Sequence, residues 1–187
     1  MTGRFCTRKV SVWKNHEEEA IPISESLLML SGFTLAHAAW SVCDLPELLV
    51  PLAIADINGE RELRRFEAET QAQAIADGKA SLAEYEDVLD AWAFVREGQF
   101  KENGAYVDVF TLEAKSKDMK EPIAFIQRFQ PCAKGALKLI GPPMVAIGGE
   151  IIPEDEAAPL IAQLYHGALS HEKAAKLWPS WVASARN

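Results

Sequence analysis

The fold class is decided by the segment AWAFVREGQFKENGAYVDVFTLEAK, residues 91–115. Two runs rich in β-branched and aromatic residues flank Asn103-Gly104, the dipeptide best suited to the positive φ angles of a type I′ turn, and this pattern predicts a β-hairpin. The runs PIAFIQRFQP (122–131) and LKLIGPPMVAIGG (137–149) follow after short connections. Parallel neighbours need crossovers of about a dozen residues or more, so four strands this close in sequence predict an antiparallel meander.

The N-terminal half combines a long helix with a second hairpin signal. Ser24 is suited to cap a helix because its hydroxyl accepts from the amides of a first turn, and the apolar run behind it predicts a helix to about Val42. Asn58-Gly59 predicts another tight turn between strands, which brings the expected sheet to five or six strands. A further helix is expected from about Glu67.

Glycine, serine and proline mark the expected ends of the remaining helices. Gly78 is expected just past the end of the middle helix, and the capping-box pattern SLAE (81–84) predicts another short helix. The pair GG at 148–149 predicts a strand-to-helix connection with positive φ. Pro153 and the acids after it predict a C-terminal helix, which Pro159 is expected to kink or restart.

These patterns together predict an α+β protein in which an antiparallel β-meander is covered by N-terminal, middle and C-terminal helices. Residues 1–22 show no sustained period apart from a short strand-like run at KVSVW, and we expect them to form an irregular arm. Residues 23–187 contain no linker or repeat, so we expect a single domain with C-terminal helices from about residue 153.

The middle of the chain also carries a resemblance. The segments DAWAFVREG (90–98), VDVFTLEA (107–114) and FIQRFQP (125–131), in this order, resemble small bacterial proteins of unknown function. The resemblance covers about half of the chain and supports the order of the strands, but it implies no activity.

Charge and cysteine content narrow the classes of function. The 187 residues include 19 Lys and Arg against 27 Asp and Glu, a formal net charge of −8, so the average field repels phosphate backbones and anionic membranes and favours a basic protein partner. Cys6, Cys43 and Cys132 contain no Cys-x-x-Cys pair, which fits a reducing cytoplasm. The apolar run at 27–42 is shorter than the roughly 20 residues of a membrane span and predicts a buried helix.

Asp90, Glu113 and Lys115 form the one pattern that suggests catalysis. A distant Asp followed by Glu-x-Lys resembles the core of restriction-endonuclease-like nucleases, and this resemblance implies two carboxylates that hold Mg²⁺ and a lysine that stabilises charge at the phosphate. Side chains alternate along a strand, so Asp108 points away from Glu113 and Lys115 and only Asp90 could complete the site. A solvated face of the sheet explains the same residues without activity, and we favour that interpretation.

The histidines and cysteines show no spacing typical of a metal site or a nucleophile. His166 and His171 are five residues apart, about 140° around a helix, which does not suit a shared metal. His37 lies alone in the apolar helix and is expected to be a hydrogen-bonded core histidine rather than a general base. The sequence also lacks nucleophile and phosphate-loop motifs, so we expect no cofactor.

The sequence therefore favours a non-catalytic module that binds a protein, with homodimer formation as a further expectation and the nuclease, or another hydrolase, as the alternative. Trp178 and Trp181 are candidates for partner binding if they are exposed, or for core residues if the C-terminal segment folds back over the sheet. Glu84, Glu86 and Asp87 are either a docking surface for a basic partner or a solvated helix face.

Overall fold

The computed structural model describes residues 9–12, 21–134 and 136–183 of the chain. Its α-helices are α1 (Glu25–Val42), α2 (Gln71–Glu84), α3 (Glu154–Leu169) and α4 (Trp178–Ala183). Its strands are β1 (Lys9–Val12), β2 (Ile21–Ser24), β3 (Leu52–Ile57), β4 (Glu60–Arg65), β5 (Ala91–Glu102), β6 (Ala105–Ser116), β7 (Ile123–Gln130), β8 (Lys138–Ile147) and β9 (Glu150–Ile151).

Seven strands form one antiparallel sheet in the order β4-β3-β5-β6-β7-β8-β9, and β1 pairs with β2 in a separate two-stranded sheet. The prediction of an α+β protein with an antiparallel sheet is confirmed, with one strand more than expected. The additional strand is β9, because Gly148 and Gly149, with φ of 57° and 80°, turn the chain so that Glu150 pairs with Ile147. The expected strand-to-helix connection is therefore a hairpin turn that precedes α3.

Both Asn-Gly dipeptides form the tight turns that the sequence predicts. Asn58 and Gly59 have φ of 52° and 83° between β3 and β4, and Asn103 and Gly104 have φ of 50° and 85° between β5 and β6. Left-handed backbone at both central positions twists the turn in the same sense as the strands that it joins. The long hairpin of β5 and β6 consequently keeps its register over twelve residues of each strand.

The first helix begins and ends as predicted. The Ser24 hydroxyl accepts from the amide of Leu27 at 3.2 Å, which satisfies one of the free donors of the first turn, and α1 ends at Val42. Of the expected irregular arm at 1–22, the described part forms β1 and the start of β2, and the remainder lies outside the described residues. Within the described part of the chain, no helix has the length and apolar character needed to cross a membrane.

The middle helix differs from the prediction. It begins after Thr70 rather than near Glu67, and it continues through Gly78 to Glu84 as a single helix. Gly78 does not end the helix because its role is packing: a Cβ at this position would lie 2.7 Å from Cε2 of Phe94 on the sheet. The apparent capping box is simply the last turn of α2, in which the Ser81 carbonyl accepts from the amide of Tyr85.

The sheet separates two hydrophobic clusters of unequal size. The larger cluster lies between one face of the sheet and α1, α3 and α4, and its sheet side includes Phe110, Leu112 and Phe125. The smaller cluster lies on the opposite face, where Leu82 of α2 packs with Phe94. Successive side chains along each strand point alternately into the two clusters, as the period of two along a strand requires.

Helices α1 and α3 touch through their backbones where they cross. A Cβ on Gly32 would overlap the carbonyl oxygen of Leu164, and a Cβ on Gly167 would overlap that of Met29. Only a residue without a side chain fits at either position, so the two glycines set the distance between the helices. The helix α3 runs through Pro159 without ending, and Gly167 lies in its last turn.

We predict that Gly32→Ala destabilises the protein even though alanine favours a helix over glycine by about 1 kcal/mol. Overpacking costs about 1–3 kcal/mol or more, and here the obstacle is a backbone carbonyl that cannot rotate away, so the overpacking outweighs the gain. Urea unfolding monitored by circular dichroism measures the change.

The matched control is Gly98→Ala, whose methyl group would meet only the flexible end of Arg96, at 3.3 Å from its Nη1 atom. An unfolding midpoint for Gly32→Ala equal to or above that of Gly98→Ala would contradict this account of the crossing.

Candidate functional site

The residues of the nuclease hypothesis lie in separate ion pairs. Glu113 accepts from Lys79 of α2 at 2.9 Å, and Lys115 pairs with Glu86. Asp90 is 2.8 Å from the Lys117 amino group, which holds its pKa below the usual range together with the Asn58 amide. Each of the three groups is thus held by a partner of its own.

The register also separates the carboxylates. Asp90 lies beside Lys117, which follows the last residue of β6 and is four residues beyond Glu113, a separation of about 13 Å that is too long for one ion. Asp108 is on the opposite face, where it accepts from Gln99 and Lys134. The described residues contain no group of three or more His, Cys, Asp and Glu side chains that could hold a metal ion.

The two tryptophans for which the sequence leaves a partner surface or the core open are buried. Trp178 and Trp181 retain only 4% and 6% of their exposure, because α4 folds back against the sheet and the Trp178 ring meets Tyr165 edge to face. The C-terminal segment therefore folds back over the sheet, which is the second of the two alternatives, and the exposure on which a partner-binding role for these residues depended is absent. Glu84, Glu86 and Asp87 are exposed at the end of α2, so a docking role for them stays a prediction.

A concave surface lies beside the C-terminal end of α1. It is a groove of about 400 Å³ between α1, the connection at 43–51 and the last residue of β4. Its apolar side chains include Trp40, Leu45, Leu48, Val50 and Leu52. Three of these are large apolar groups left in water, with exposures of 50% for Leu45, 65% for Leu48 and 38% for Val50. We name this feature the α1 groove.

The wall of the α1 groove is held in place by hydrogen bonds. The Leu49 amide donates to Glu97 of β5 at 2.9 Å, and the Leu49 carbonyl accepts from Gln71 of α2 at 3.1 Å. The Cys132 thiol donates to the Leu45 carbonyl. Since the buried Leu49 side chain points inward, its neighbours Leu48 and Val50 are held outward.

A pair of histidines lies beside the α1 groove. His37 of α1 and His171, in the turn after α3, are 134 residues apart in sequence, yet Nδ1 of His37 is 3.0 Å from Nε2 of His171. The rings pack against Phe33 and Trp40, with centroids 4.8 Å apart for Phe33 and His171 and 5.8 Å apart for His37 and Trp40. His37 is hydrogen-bonded as expected, but it is only half-buried.

The backbone fixes the tautomers of both rings. The Ala174 amide donates to Nδ1 of His171 at 3.1 Å, so the proton of the neutral His171 ring is on Nε2. That proton is donated to Nδ1 of His37, which leaves the His37 proton on Nε2. The Nε2 atom of His37 in turn faces Nη2 of Arg65, at 3.5 Å.

Cations surround the histidine pair. Arg61 lies over the Phe33 ring, with its guanidinium carbon 5.1 Å from the centroid, and the Lys173 amino group is 4.5 Å from the centroid of Trp40. Burial, followed by His171, Arg65 and Lys173, lowers the pKa of His37 to about 4. Burial also lowers the pKa of His171, so both rings are neutral at pH 7.

No spacing in the sequence relates these two histidines. Sequence patterns relate residues a few positions apart, whereas His37 and His171 are 134 residues apart. The only available signal is the pair of glycines that allows α1 and α3 to approach, since His37 follows Gly32 by five positions and His171 follows Gly167 by four.

We predict that millimolar Mg²⁺ leaves the melting temperature unchanged in the wild type and in Glu113→Ala. The variant loses an ion pair with Lys79, which is half exposed, so its stability falls by at most roughly 0.5 kcal/mol. Differential scanning fluorimetry with and without Mg²⁺ measures both effects. A rise with Mg²⁺ in the wild type that Glu113→Ala abolishes would place a metal site there.

We also predict that His37 makes stability depend on pH below neutrality. The pKa of His37 is about 4 in the folded protein against 6.5 for the free side chain, so the unfolded chain binds more protons between these values and stability falls as pH falls through this window. His37→Gln should therefore show a smaller loss of melting temperature between pH 7 and pH 4.5. The exposed His166 provides the control in His166→Gln, and an equal loss in both variants would contradict the prediction.

Comparison with known proteins assigns no family to this fold and these sites: no protein-family model, no curated protein and no solved structure matches the chain.

Proposed function

We propose that this chain is a non-catalytic protein-binding module whose α1 groove receives a short aliphatic segment flanked by basic side chains. The observation that carries the proposal is a preformed groove with exposed leucines on a wall held by hydrogen bonds. A binding surface that is ordered beforehand loses little conformational freedom on association, which favours affinity.

The exposed apolar side chains supply the driving force. Leu45, Leu48 and Val50 lie next to one another on the same connection, and adjacent apolar side chains left in water are typical of interaction sites. Full burial of a leucine contributes about 1.5–3 kcal/mol, so covering these three side chains would supply several kcal/mol. The hydrogen bonds of Leu49 keep them exposed, since they cannot turn inward without breaking those bonds.

The charges around the α1 groove favour a basic partner. The described lining of the groove contains three carboxylates, Asp44, Glu47 and Glu67, and one cation, Arg65. The chain as a whole carries a net charge of −8. Lysine or arginine beside the aliphatic segment would meet these carboxylates at the rim, where ion pairs act mainly on association rate and specificity.

Strand β4, at the edge of the sheet, is a poor docking site for an added strand. Its sequence ERELRR places charged side chains on both faces, a pattern by which proteins protect an exposed edge from pairing with another chain. The α1 groove is therefore a better candidate than the neighbouring edge.

We predict that Leu48→Asp weakens binding of a labelled probe peptide, two leucines flanked by lysines, at least tenfold. The substitution places a carboxylate where an aliphatic contact is expected, and a tenfold change in Kd corresponds to about 1.4 kcal/mol. Fluorescence anisotropy measures the affinity. Because Leu48 is largely exposed, the variant should retain the wild-type melting temperature.

The matched control is Val88→Asp, an equally exposed position next to the acidic residues at the end of α2. It should leave binding unchanged, and the twin peptide with glutamates in place of lysines should bind much more weakly. If Val88→Asp weakens binding as much as Leu48→Asp does, the α1 groove is not the docking site. If the two peptides bind equally, the preference for a basic partner is wrong.

Homodimer formation and a cytoplasmic location stay predictions from the sequence. Sedimentation equilibrium of the full chain addresses the first, and it also shows whether a second copy competes with the peptide for the α1 groove.

A further inference from the structure

Two hydrogen-bond donors converge beside the α1 groove. With the tautomers set by the Ala174 amide, Nε2 of His37 carries a proton and faces the Arg65 guanidinium, which is always a donor. At 3.5 Å, two donors cannot satisfy each other. An acceptor that touches both would complete the arrangement.

The surroundings specify the charge of that acceptor. Every charged group that shifts the pKa of His37 is a cation or the neighbouring histidine, and no carboxylate contributes. Among the described residues, Arg65 and Lys173 have no carboxylate within ion-pair distance, whereas Arg61 is bound to Asp56 at 2.8 Å. Glu172 acts on His171, and the charges that act on His37 are those of Arg65 and Lys173.

A metal ion does not fit the same position. A histidine that binds a metal through one nitrogen normally donates through the other, but Nδ1 of His171 accepts from the Ala174 amide and Nε2 must keep its proton. The lysine and arginine nearby would also repel a divalent cation.

We propose that His37, Arg65 and Lys173 form a binding site for an oxyanion, a carboxylate or a phosphate group, with the Trp40 ring as its wall. One oxygen accepts from Nε2 of His37 and from Nη2 of Arg65. Lys173, which lies over the Trp40 ring, adds charge from the turn after α3. Arginine suits this role because its planar group binds two oxygens at once.

The oxyanion site goes beyond the proposed function and does not depend on it. It shares Trp40 and Arg65 with the α1 groove, but its other contacts, His37 and Lys173, do not line the groove. Leu48→Asp should therefore leave anion binding intact, so failure of either proposal can be recognised separately.

The test is a titration of the full chain with inorganic phosphate and, separately, with acetate, each compared with chloride at equal ionic strength. Histidine ring signals are followed by NMR at pH 7. We expect saturable shifts of the His37 and His171 signals at millimolar concentrations of one or both anions, with no shift of the exposed His166 signal. The anion that saturates first identifies the chemistry of the ligand.

Arg65→Gln should weaken this binding at least tenfold, and the control is Arg64→Gln. Arg64 is the preceding residue on the opposite face of β4, where it lies over the Tyr85 ring. Both arginines are exposed, so both variants should fold, which thermal melting verifies. A second variant, Lys173→Gln, should weaken binding less, since lysine contributes charge without a direct hydrogen bond.

The proposal is overturned by any of three results: His37 shifts that match those in chloride, shifts that follow ionic strength without saturation, or equal affinity in Arg65→Gln and Arg64→Gln. The first two would mean that the two donors are satisfied by solvent.

Discussion

The backbone contact between α1 and α3 at Gly32 and Gly167 is the constraint on which the rest of the structure depends. It lets the two helices lie close enough to cover one face of the sheet together, and it fixes the first half of α1 against the last turns of α3. Because His37 and His171 each lie about one turn beyond these glycines, the same contact brings their rings within hydrogen-bond distance. A wider crossing would separate them.

The segment that follows α1 forms the exposed wall of the α1 groove. After Val42 the chain leaves the helix, and Leu49 ties the connection to Glu97 of β5 through its amide and to Gln71 of α2 through its carbonyl. Those bonds stabilise the connection by satisfying a backbone donor and acceptor that would otherwise be paired only with water. As a geometric consequence, Leu48 is held in solvent. An exposed apolar side chain in a fixed position suits the binding of a partner and adds little to the stability of the fold.

The two proposed sites are adjacent but opposite in charge. Asp44 and Glu47 line the α1 groove with negative charge, while Arg65 and Lys173 place positive charge near His37. A net charge of −8 describes neither end, because the field at short range is set by the nearest side chains. A partner that carries both a basic segment and an oxyanion would be oriented by this difference along the surface.

The sequence by itself determined the features that depend on neighbouring residues. The Asn-Gly turns, the cap at Ser24 and the alternating faces of β6 follow from local backbone preferences and the period of two along a strand, so the antiparallel sheet was predictable.

Only the tertiary structure decided which residues meet across the chain. Gly78 is a residue type typical of a helix end, but it lies inside α2 and packs against Phe94. Trp178 lies near the C-terminus, where residues are often exposed, but it is buried in the core. The pairing of His37 with His171 likewise depends on how closely two helices approach. That approach is set by steric contact between distant segments, which no local preference encodes.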